Sequence, residues 1–325
     1  MRLLVTGGAG FIGSNYVRRL FDNTLHGISS VIVLDKLTYA GVLENLVPVA
    51  ENPNFSFVNG DICDPLIVSQ LIDSVDAVVN FAAESHVDRS IYSAADFIKT
   101  NVAGVQVLLD AIKASGKKIR FVQISTDEVY GSIESGSWDE SFPLQPNSPY
   151  SASKAGGELL ARAYHRTHQL DVVITRCSNN YGPYHFPEKL IPLFITNLIE
   201  GKKVPVYGNG MNVRDWLHVD DHCRGIHKVL MNGRSGEVYN IGGGRELTNN
   251  EITQLILEAM GADESSIAYV EDRKGHDLRY SVNWNKINHE LDYEPQVSFE
   301  DGLKQTIEWY KNNREWWEKL KNGVR

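Results

Sequence analysis

Tyr150 and Lys154 have the side-chain types and the spacing of a proton-transfer pair. They stand four residues apart, so on a helix they share one face. A lysine ammonium beside a phenol stabilises the phenolate, and such a tyrosine can act as a base toward a hydroxyl group near neutral pH. Prolines at 146 and 149 predict that a helix begins just before this pair. The alternative is a solvated helix face, which the same two residues would also fit.

A glycine cluster at residues 7–13 is typical of a phosphate cradle. It contains G-x-G-x-x-G, follows a predicted strand and opens a predicted helix. Glycines permit a tight turn and a close approach to pyrophosphate, and the helix N-terminus supplies free N–H groups. Asp35 ends the second predicted strand about 20 residues later, where its carboxylate can accept hydrogen bonds from ribose hydroxyls. A 2′-phosphate would meet like charge there, so NAD is favoured over NADP, although the adjacent Lys36 weakens this preference.

Weaker signals surround this cradle. Asp61 and Ile62 follow the third predicted strand and could hold adenine between a polar edge and an apolar wall. Aspartate after a strand is also common in turns. A plain turn before a helix, and an aspartate that caps a strand end, are the alternatives for the glycine cluster and for Asp35.

A sheet must position these residues, and the chain alternates short apolar segments with helical patterns. Buried strands are predicted at 3–6, 31–35, 55–59, 77–81, 120–125 and 172–176. Helices are predicted at 13–22, 67–74, 96–115 and 150–168. Such alternation forms βαβ units with right-handed crossovers, so we expect an α/β fold with a Rossmann-type doubly wound parallel sheet.

The pattern changes after residue 176. Turn-forming residues at 179–184 and several prolines predict a loop-rich region that binds a substrate. Further elements are predicted as helices at 219–231, 249–260 and 299–317, and a strand at 237–241. We expect this part of the chain to form a smaller, mixed α/β substrate-binding domain.

Charge and cysteine content limit the partners. The formal charge is −9 without a long basic run, so nucleic acid and anionic membrane surfaces are poor partners. Three scattered cysteines fit a reducing compartment, and no metal site is expected because His218 and His222 lack a second ligand cluster. Apolar runs are too short to span a membrane, and the first residues have the pattern of a strand, not of a signal peptide. The expected location is the cytoplasm.

Four segments together resemble the extended short-chain dehydrogenase/reductase family, over essentially the whole chain: 7–13, 80–85, 125–126, and Tyr150 with Lys154. The resemblance implies an NAD-binding Rossmann domain of residues 1–177 plus 214–242. A nucleotide-sugar-binding domain would comprise residues 178–213 plus 243–325. It also implies a homodimer through the helices at 96–115 and 150–168. Gly156 and Gly157 interrupt the second of these helices, where they would allow close helix packing at a dimer contact.

Within the family, Asp127 and Glu128 are similar to the acid–base pair of the dTDP-glucose 4,6-dehydratases, whereas the 4-epimerases lack this pair. Further similar segments lie at 34–41, 85–90, 176–184, 214–216 and 272–277. The resemblance implies that Tyr150 deprotonates the glucose 4-hydroxyl as hydride leaves C4 for NAD. Glu128 would then take the C5 proton and Asp127 would protonate the leaving C6 hydroxyl, before hydride returns to C6. Thr126 would contact the sugar near its 4-oxygen. The alternative for the pair is two helix-start acids that interact with a helix dipole.

The resemblance also implies one catalytic set and two sets of binding residues. The catalytic set is Tyr150, Lys154, Asp127, Glu128 and Thr126. Cofactor contacts are expected from Gly7, Gly10, Phe11, Ile12, Gly13, Asp35, Lys36, Thr38, Asp61, Ile62, Phe81, Ala82, Ala83, Thr100, Tyr150, Lys154 and Asn180. Substrate contacts are expected from Ser85, Thr126, Asn179, Lys189, Leu190, Pro205, Tyr207, Arg214, Asn249, Arg273 and His276. Arg214 and Arg273 are the expected diphosphate partners, because guanidinium forks match phosphate oxygens, although both could instead form surface ion pairs. Tyr207 could stack on the base or belong to the core.

Three other functions are consistent with parts of the sequence. The same dehydration could act on UDP-glucose, since one methyl and one hydroxyl group separate the two nucleotides. A nucleotide-sugar 4-epimerase would share the fold, although Asp127 and Glu128 argue against it. A non-catalytic NAD-sensing scaffold would be expected to lose Tyr150, Lys154 or the acid pair, and this chain has them all.

Overall fold

A computed structural model describes residues 1–273 and 275–323. Its strands are β1 Arg2–Thr6, β2 Ser30–Asp35, β3 Phe55–Asn59, β4 Ala77–Asn80, β5 Arg120–Thr126, β6 Val172–Cys177, β7 Asn179–Tyr181, β8 Val204–Tyr207, β9 Val213–His218, β10 Val238–Ile241, β11 Glu246–Thr248 and β12 Ile267–Val270. Seven of them form one sheet in the order β10-β6-β5-β4-β1-β2-β3. Every pairing in that sheet is parallel. The predicted Rossmann-type doubly wound sheet is therefore confirmed.

Helices cover both faces of this sheet. They are α1 Phe11–Phe21, α2 Pro65–Ile72, α3 Val87–Tyr92, α4 Ala95–Ile98, α5 Val105–Ser115, α6 Pro149–His168, α7 Leu190–Ile199, α8 Val219–Asn232, α9 Asn249–Met260, α10 Asn285–Leu291, α11 Phe299–Asn312 and α12 Arg314–Gly323. A π-helical segment, Lys99–Gly104, joins α4 to α5, and 3₁₀ turns cover Leu43–Val49, Asp127–Tyr130 and Glu264–Ser266. Two apolar cores lie on opposite sides of the sheet, as its buried β-branched strands require. None of these helices is long and apolar enough to cross a bilayer.

A second, mixed sheet in the order β11-β9-β7 pairs β9 parallel with β7 and antiparallel with β11. A third, two-stranded sheet pairs β12 with β8. The predicted smaller, mixed α/β part is thus present. Part of the segment predicted as turns, residues 179–184, forms β7. Because β9 pairs outside the large sheet, the boundary predicted at residue 214 does not follow the strand pairing, and the two-domain division stays a prediction.

The helix predicted at 299–317 is wrong as one element. In the structure α11 ends at Asn312 and α12 starts at Arg314. The side-chain amide of Asn313 donates to the carbonyl oxygen of Trp309 at 2.8 Å, which satisfies one of the carbonyl groups that a helix end leaves unpaired. The change of direction buries Trp317, whose indole N–H donates to Tyr310 O at 2.8 Å.

Helix α6 begins at a capping box, in which Ser148 and Ser151 bond each other's backbone N–H groups, and Pro149 occupies its first turn. Gly157 lies against the backbone carbonyl of Asn101 in the π-helical segment, where a Cβ atom would collide with that oxygen. Gly157 therefore allows close packing within the chain, and the role of the two glycines at a dimer contact stays a prediction. The contact between Gly157 and Asn101 holds α6 against the edge of the cleft described below.

Candidate active site

A cleft of about 470 Å³ runs along the carboxyl ends of the large sheet and faces the second sheet. This edge of a doubly wound sheet is where ligands bind, because loops and helix N-termini converge there. Every residue that the sequence predicts for catalysis, cofactor binding or substrate binding lines this cleft. The structure thus brings the whole predicted set together, while the individual roles stay predictions.

The glycine cluster leaves room for a phosphate at one end of the cleft. Gly7 has φ +68°, and a Cβ atom there would lie 2.5 Å from Ala82 N. A Cβ atom on Gly13 would lie 2.9 Å from Gly8 Cα. Within the described chain, no side chain caps the N-terminus of α1 at Gly10. The N–H groups of that helix are therefore available to an anionic group, as a dinucleotide pyrophosphate requires.

Asp35, the residue predicted to contact a ribose, is held by the backbone around it. Its two carboxylate oxygens accept the N–H groups of Ala9 at 2.9 Å and Leu37 at 2.8 Å. Burial raises the pKa of Asp35, and these two N–H donors oppose that rise. A carboxylate has about four acceptor sites, so two remain for hydroxyl groups. Lys36, the cation that could favour a 2′-phosphate, instead pairs with Asp61 at 2.8 Å.

The acid pair occupies a 3₁₀ turn, Asp127–Tyr130, at the end of β5. Thr126 caps this turn, and its hydroxyl accepts the N–H of Glu128 at 3.3 Å. The same hydroxyl donates to Asp127 Oδ1 at 3.2 Å, whereas Asp127 Oδ2 has no hydrogen-bond partner among the described residues. Both acids therefore lie at the start of this 3₁₀ turn, as the alternative of two helix-start acids expects, and both also line the cleft.

The surroundings of the two acids differ. Burial raises the pKa of Asp127 well above its usual range, and the charges of Glu128 and Asp215 add to that rise. Burial also raises the pKa of Glu128, but Arg214, Arg273 and Lys189 oppose the rise. The cations near Glu128 therefore favour its ionised form, whereas burial and two neighbouring acids favour the protonated form of Asp127. Two neighbouring carboxyl groups with separated proton affinities can serve as an acid and a base.

Tyr150 and Lys154 line the cleft beside this turn. Burial raises the pKa of the Tyr150 phenol well above its usual range, and the carboxylate of Glu128 raises it further. Burial lowers the pKa of Lys154 to about 8. The Lys154 ammonium donates to Ile124 O at 2.7 Å. Activation of the phenol therefore needs positive charge beyond what the side chains supply, which the spacing of this pair alone does not reveal.

Arg214 and Arg273, the predicted diphosphate partners, differ in how strongly other groups already hold them. Arg214 lies over the Tyr280 ring at 4.3 Å and donates to backbone carbonyls, including Asp277 O at 3.0 Å. Arg273 Nη1 lies 3.5 Å from Asp88, and its guanidinium is 5.5 Å from the Tyr207 ring. Arg273 therefore stands at an ion pair that an incoming phosphate could replace. Arg214 is already fixed by the main chain.

Several residues that the sequence does not predict also line the cleft. Glu188 accepts a hydrogen bond from Arg89 at 3.2 Å, and His185 stacks on Phe11 with ring centroids 4.1 Å apart. Asp88 belongs to the similar segment 85–90 and could have been named from it. Glu188 and His185 lie in a proline-containing loop without a local chemical pattern, so only the fold brings them to the cleft.

The fold and this cleft define a dinucleotide-binding enzyme of the short-chain dehydrogenase/reductase type, as the resemblance predicts. Residues 4–306 match the family model described as GDP-mannose 4,6 dehydratase, and the chain belongs to that family. A curated dTDP-glucose 4,6-dehydratase from Streptomyces niveus is 60% identical over 99% of this chain and 96% of its own length.

Solved structures agree with this assignment. The crystal structure of DesIV, a dTDP-glucose 4,6-dehydratase from Streptomyces venezuelae with NAD bound, is 61% identical. It covers 98% of this chain and 100% of its own, with a TM-score of 0.97. A UDP-glucose 4-epimerase from Thermotoga maritima is 33% identical over 97% of this chain and 100% of its own, with a TM-score of 0.88. The fold is shared with an epimerase, but the sequence is much closer to the dehydratases.

Proposed function

We propose that the protein is an NAD-dependent hydro-lyase that converts dTDP-glucose to dTDP-4-keto-6-deoxyglucose. The observation that carries this proposal is the pair of acids, buried Asp127 and partly buried Glu128, in the same cleft wall as Tyr150. An epimerase needs one base at C4, whereas a dehydratase also needs an acid and a base at C5 and C6. Full-length relatives of that activity, 57–60% identical, support the nucleotide and the sugar.

The residues of the chain account for the proton transfers. Tyr150 takes the proton of the 4-hydroxyl as C4 becomes a ketone, and the ketone makes C5–H acidic. Glu128 takes the C5 proton, Asp127 protonates the C6 hydroxyl, and the C6–O bond breaks to release water. NAD, when bound, accepts the C4 hydride and returns it to C6, and its positively charged ring favours ionisation of Tyr150. Glu128, after its proton has exchanged with solvent, then protonates C5, and solvent carries the proton gained by Tyr150 back to Asp127, so the net change is the loss of one water.

The cofactor would be held by the parts of the cleft that fit it. Gly7 and Gly13 give the backbone approach, the uncapped α1 supplies N–H groups, and Asp35 supplies acceptors for a ribose. The ammonium of Lys154 is buried at the same wall, where it can donate to a ribose hydroxyl in place of Ile124 O. Such a hydrogen bond would orient the cofactor beside Tyr150.

The test is turnover of dTDP-glucose that carries deuterium at C4, with purified protein and NAD. The expected product is a 4-keto-6-deoxy sugar with the label at C6, and solvent deuterium enters at C5 in heavy water. A labelled C4 epimer without loss of water would show a 4-epimerase and contradict the proposal. Equal kcat/KM for UDP-glucose in the same assay would remove the assignment of the nucleotide.

We also propose that the protein is a homodimer through the helices at 96–115 and 150–168. Both regions leave an aliphatic side chain outside the core, because Ile98 is 51% exposed and Leu159 is 52% exposed. The double change I98E and L159E is expected to give a monomer in size-exclusion chromatography with light scattering. A wild-type chain that is already a stable monomer would contradict the proposal.

Free thiols at all three cysteines support a cytoplasmic location, which we propose on that ground.

A further inference from the structure

A buried polar network lies behind the cleft and connects two of its catalytic elements. Arg176 of β6 and Glu158 of α6 are fully buried, and Tyr130 ends the 3₁₀ turn that carries the acid pair. Arg176 Nε donates to Glu158 Oε2 at 3.0 Å, and Nη2 bonds the other carboxylate oxygen. Arg176 Nη1 donates to the Tyr130 hydroxyl at 2.5 Å. The guanidinium therefore bridges α6 and the acid turn.

The directions of these hydrogen bonds are fixed by their partners. The amide nitrogen of Asn240 donates to the carbonyl oxygens of Trp138 at 3.0 Å and Asn283 at 3.2 Å, so its side-chain oxygen faces Tyr130. That oxygen can only accept, and a guanidinium can only donate. Tyr130 must therefore give its one proton to Asn240, at 2.9 Å, and accept from Arg176. Only this assignment of donors and acceptors gives every group in the network a partner, so the network is rigid.

The two ends of the bridge carry different steps of the reaction. Glu158 follows Lys154 by one helical turn on α6, the helix that presents Tyr150. Tyr130 stands two residues after Glu128. Helix α6 has further ties, because Ser153 Oγ accepts the Asn101 amide at 2.8 Å and the Tyr150 N–H donates to Ser90 at 3.1 Å. The acid turn is also tied to the loop before α6, because Gln145 N donates to Val129 O at 2.9 Å, but the bridge joins it to the body of α6. Loss of the bridge would therefore leave α6 in place and allow the acid turn to shift relative to it.

We propose that Tyr130 is a positioning residue that fixes the acid pair relative to the helix carrying Tyr150 and Lys154. This inference rests on the proposed function. It assigns Tyr130 to the elimination of water and not to the oxidation at C4, since its hydroxyl holds the turn and touches neither Tyr150 nor Lys154. A buried ion pair is a weak source of stability, and orientation is the better-attested use of such groups.

The test is single-turnover kinetics of Tyr130→Phe, which removes one hydroxyl and preserves the ring. The rate of C4 oxidation, read from the absorbance of the reduced nicotinamide, is expected to stay within about twofold. Elimination is expected to slow by about ten- to a hundredfold, as for a misplaced catalytic group, so reduced cofactor accumulates. The matched control is Tyr239→Phe, on β10 of the large sheet. Its hydroxyl likewise accepts one hydrogen bond, from Arg234 N at 3.1 Å, and donates another, to Glu290 at 2.8 Å, outside the cleft.

Equal slowing of both steps in Tyr130→Phe, or the same accumulation in Tyr239→Phe, would overturn the inference. If Tyr130→Phe does not fold, the double change R176M and E158L removes the bridge without leaving a buried charge, and it must show the same selective loss of elimination. Wild-type turnover of dTDP-glucose in the same assay tests the proposed function separately. If the wild type forms no product, the proposed function fails. If the wild type forms product but Tyr130→Phe leaves the ratio of the two rates unaltered, only the role of Tyr130 fails.

Discussion

Replacing Lys154 by methionine is expected to stabilise the NAD-free protein at pH 7 and to abolish its activity. Burial lowers the pKa of this ammonium from 10.5 to about 8. A pKa difference of one between the folded and unfolded states corresponds to about 1.4 kcal/mol, so keeping the charge in the fold costs about 3 kcal/mol. Methionine keeps an unbranched side chain but cannot donate to Ile124 O. Loss of this hydrogen bond lowers the gain by about 1 kcal/mol. The expected net gain is about 2 kcal/mol in the free energy of unfolding.

The sign of this effect gives its pH dependence. Below pH 8 the lysine is protonated in both states, so its full cost is present and the methionine variant has its full advantage. Between pH 8 and 10.5 the folded wild type releases its proton while the unfolded chain still holds one. The wild type therefore gains stability relative to the variant as the pH rises through this window. Above pH 10.5 the cost is absent.

The assay is urea unfolding followed by circular dichroism at pH 7 and pH 10, for wild type, Lys154→Met and Lys311→Met. Lys311 is exposed on α11 and serves as the control for removal of a lysine charge. A Lys154→Met protein that is less stable than wild type at pH 7, or whose advantage is the same at both pH values, would refute the reasoning. The burial of the charge would then not be the dominant energy at this position.

Three further predictions follow from the cleft. Gly7→Ala should lose bound NAD and melt at a lower temperature, because its Cβ atom would lie 2.5 Å from Ala82 N; Gly116→Ala, with a similar φ but no described atom within 4 Å of its Cβ, should keep NAD. Glu128→Gln should hold reduced cofactor and stop before elimination, with kcat reduced by at least about a hundredfold, and unchanged turnover would remove Glu128 from its role. Arg273→Lys should raise KM for dTDP-glucose about tenfold with a smaller change in kcat, because a point charge replaces a fork; an unchanged KM would show that Arg273 does not bind the diphosphate.

The sequence predicts the large sheet well because its signals are local. Six of its seven strands are short runs of mostly buried residues, and the glycine cluster at 7–13 marks the first crossing to a helix. The strand predicted as buried at 55–59 forms, but it lies at the sheet edge and is only partly buried. The strand order follows from handedness and from short connections, so the carboxyl-end cleft follows as well. The position of Tyr150 is equally predictable, since Pro149 and Ser148 define where its helix begins.

Other features depend on contacts that no local pattern records. The break at Asn313 depends on the burial of Trp317, and the apolar residues Ile307, Tyr310 and Trp317 keep a helical spacing across it. The spacing of Tyr150 and Lys154 suggests a direct electrostatic effect, whereas the buried ammonium bonds Ile124 O. Glu188 reaches the cleft through a loop whose path is set by tertiary packing. Burial and long-range pairing are the quantities that the sequence alone does not provide.

The connections between the large sheet and the second sheet are short where they border the cleft. A single residue, Ser178, separates β6 from β7, and α8 starts directly after β9. These junctions leave little slack, so the walls that hold the proton-transfer groups form a fixed frame. The longer segment between β12 and α10 carries Arg273 and His276, two of the predicted substrate contacts, so we expect changes of substrate to be tolerated there. New substrate preferences can arise there by loop replacement, without disturbing the chemistry at the strand ends.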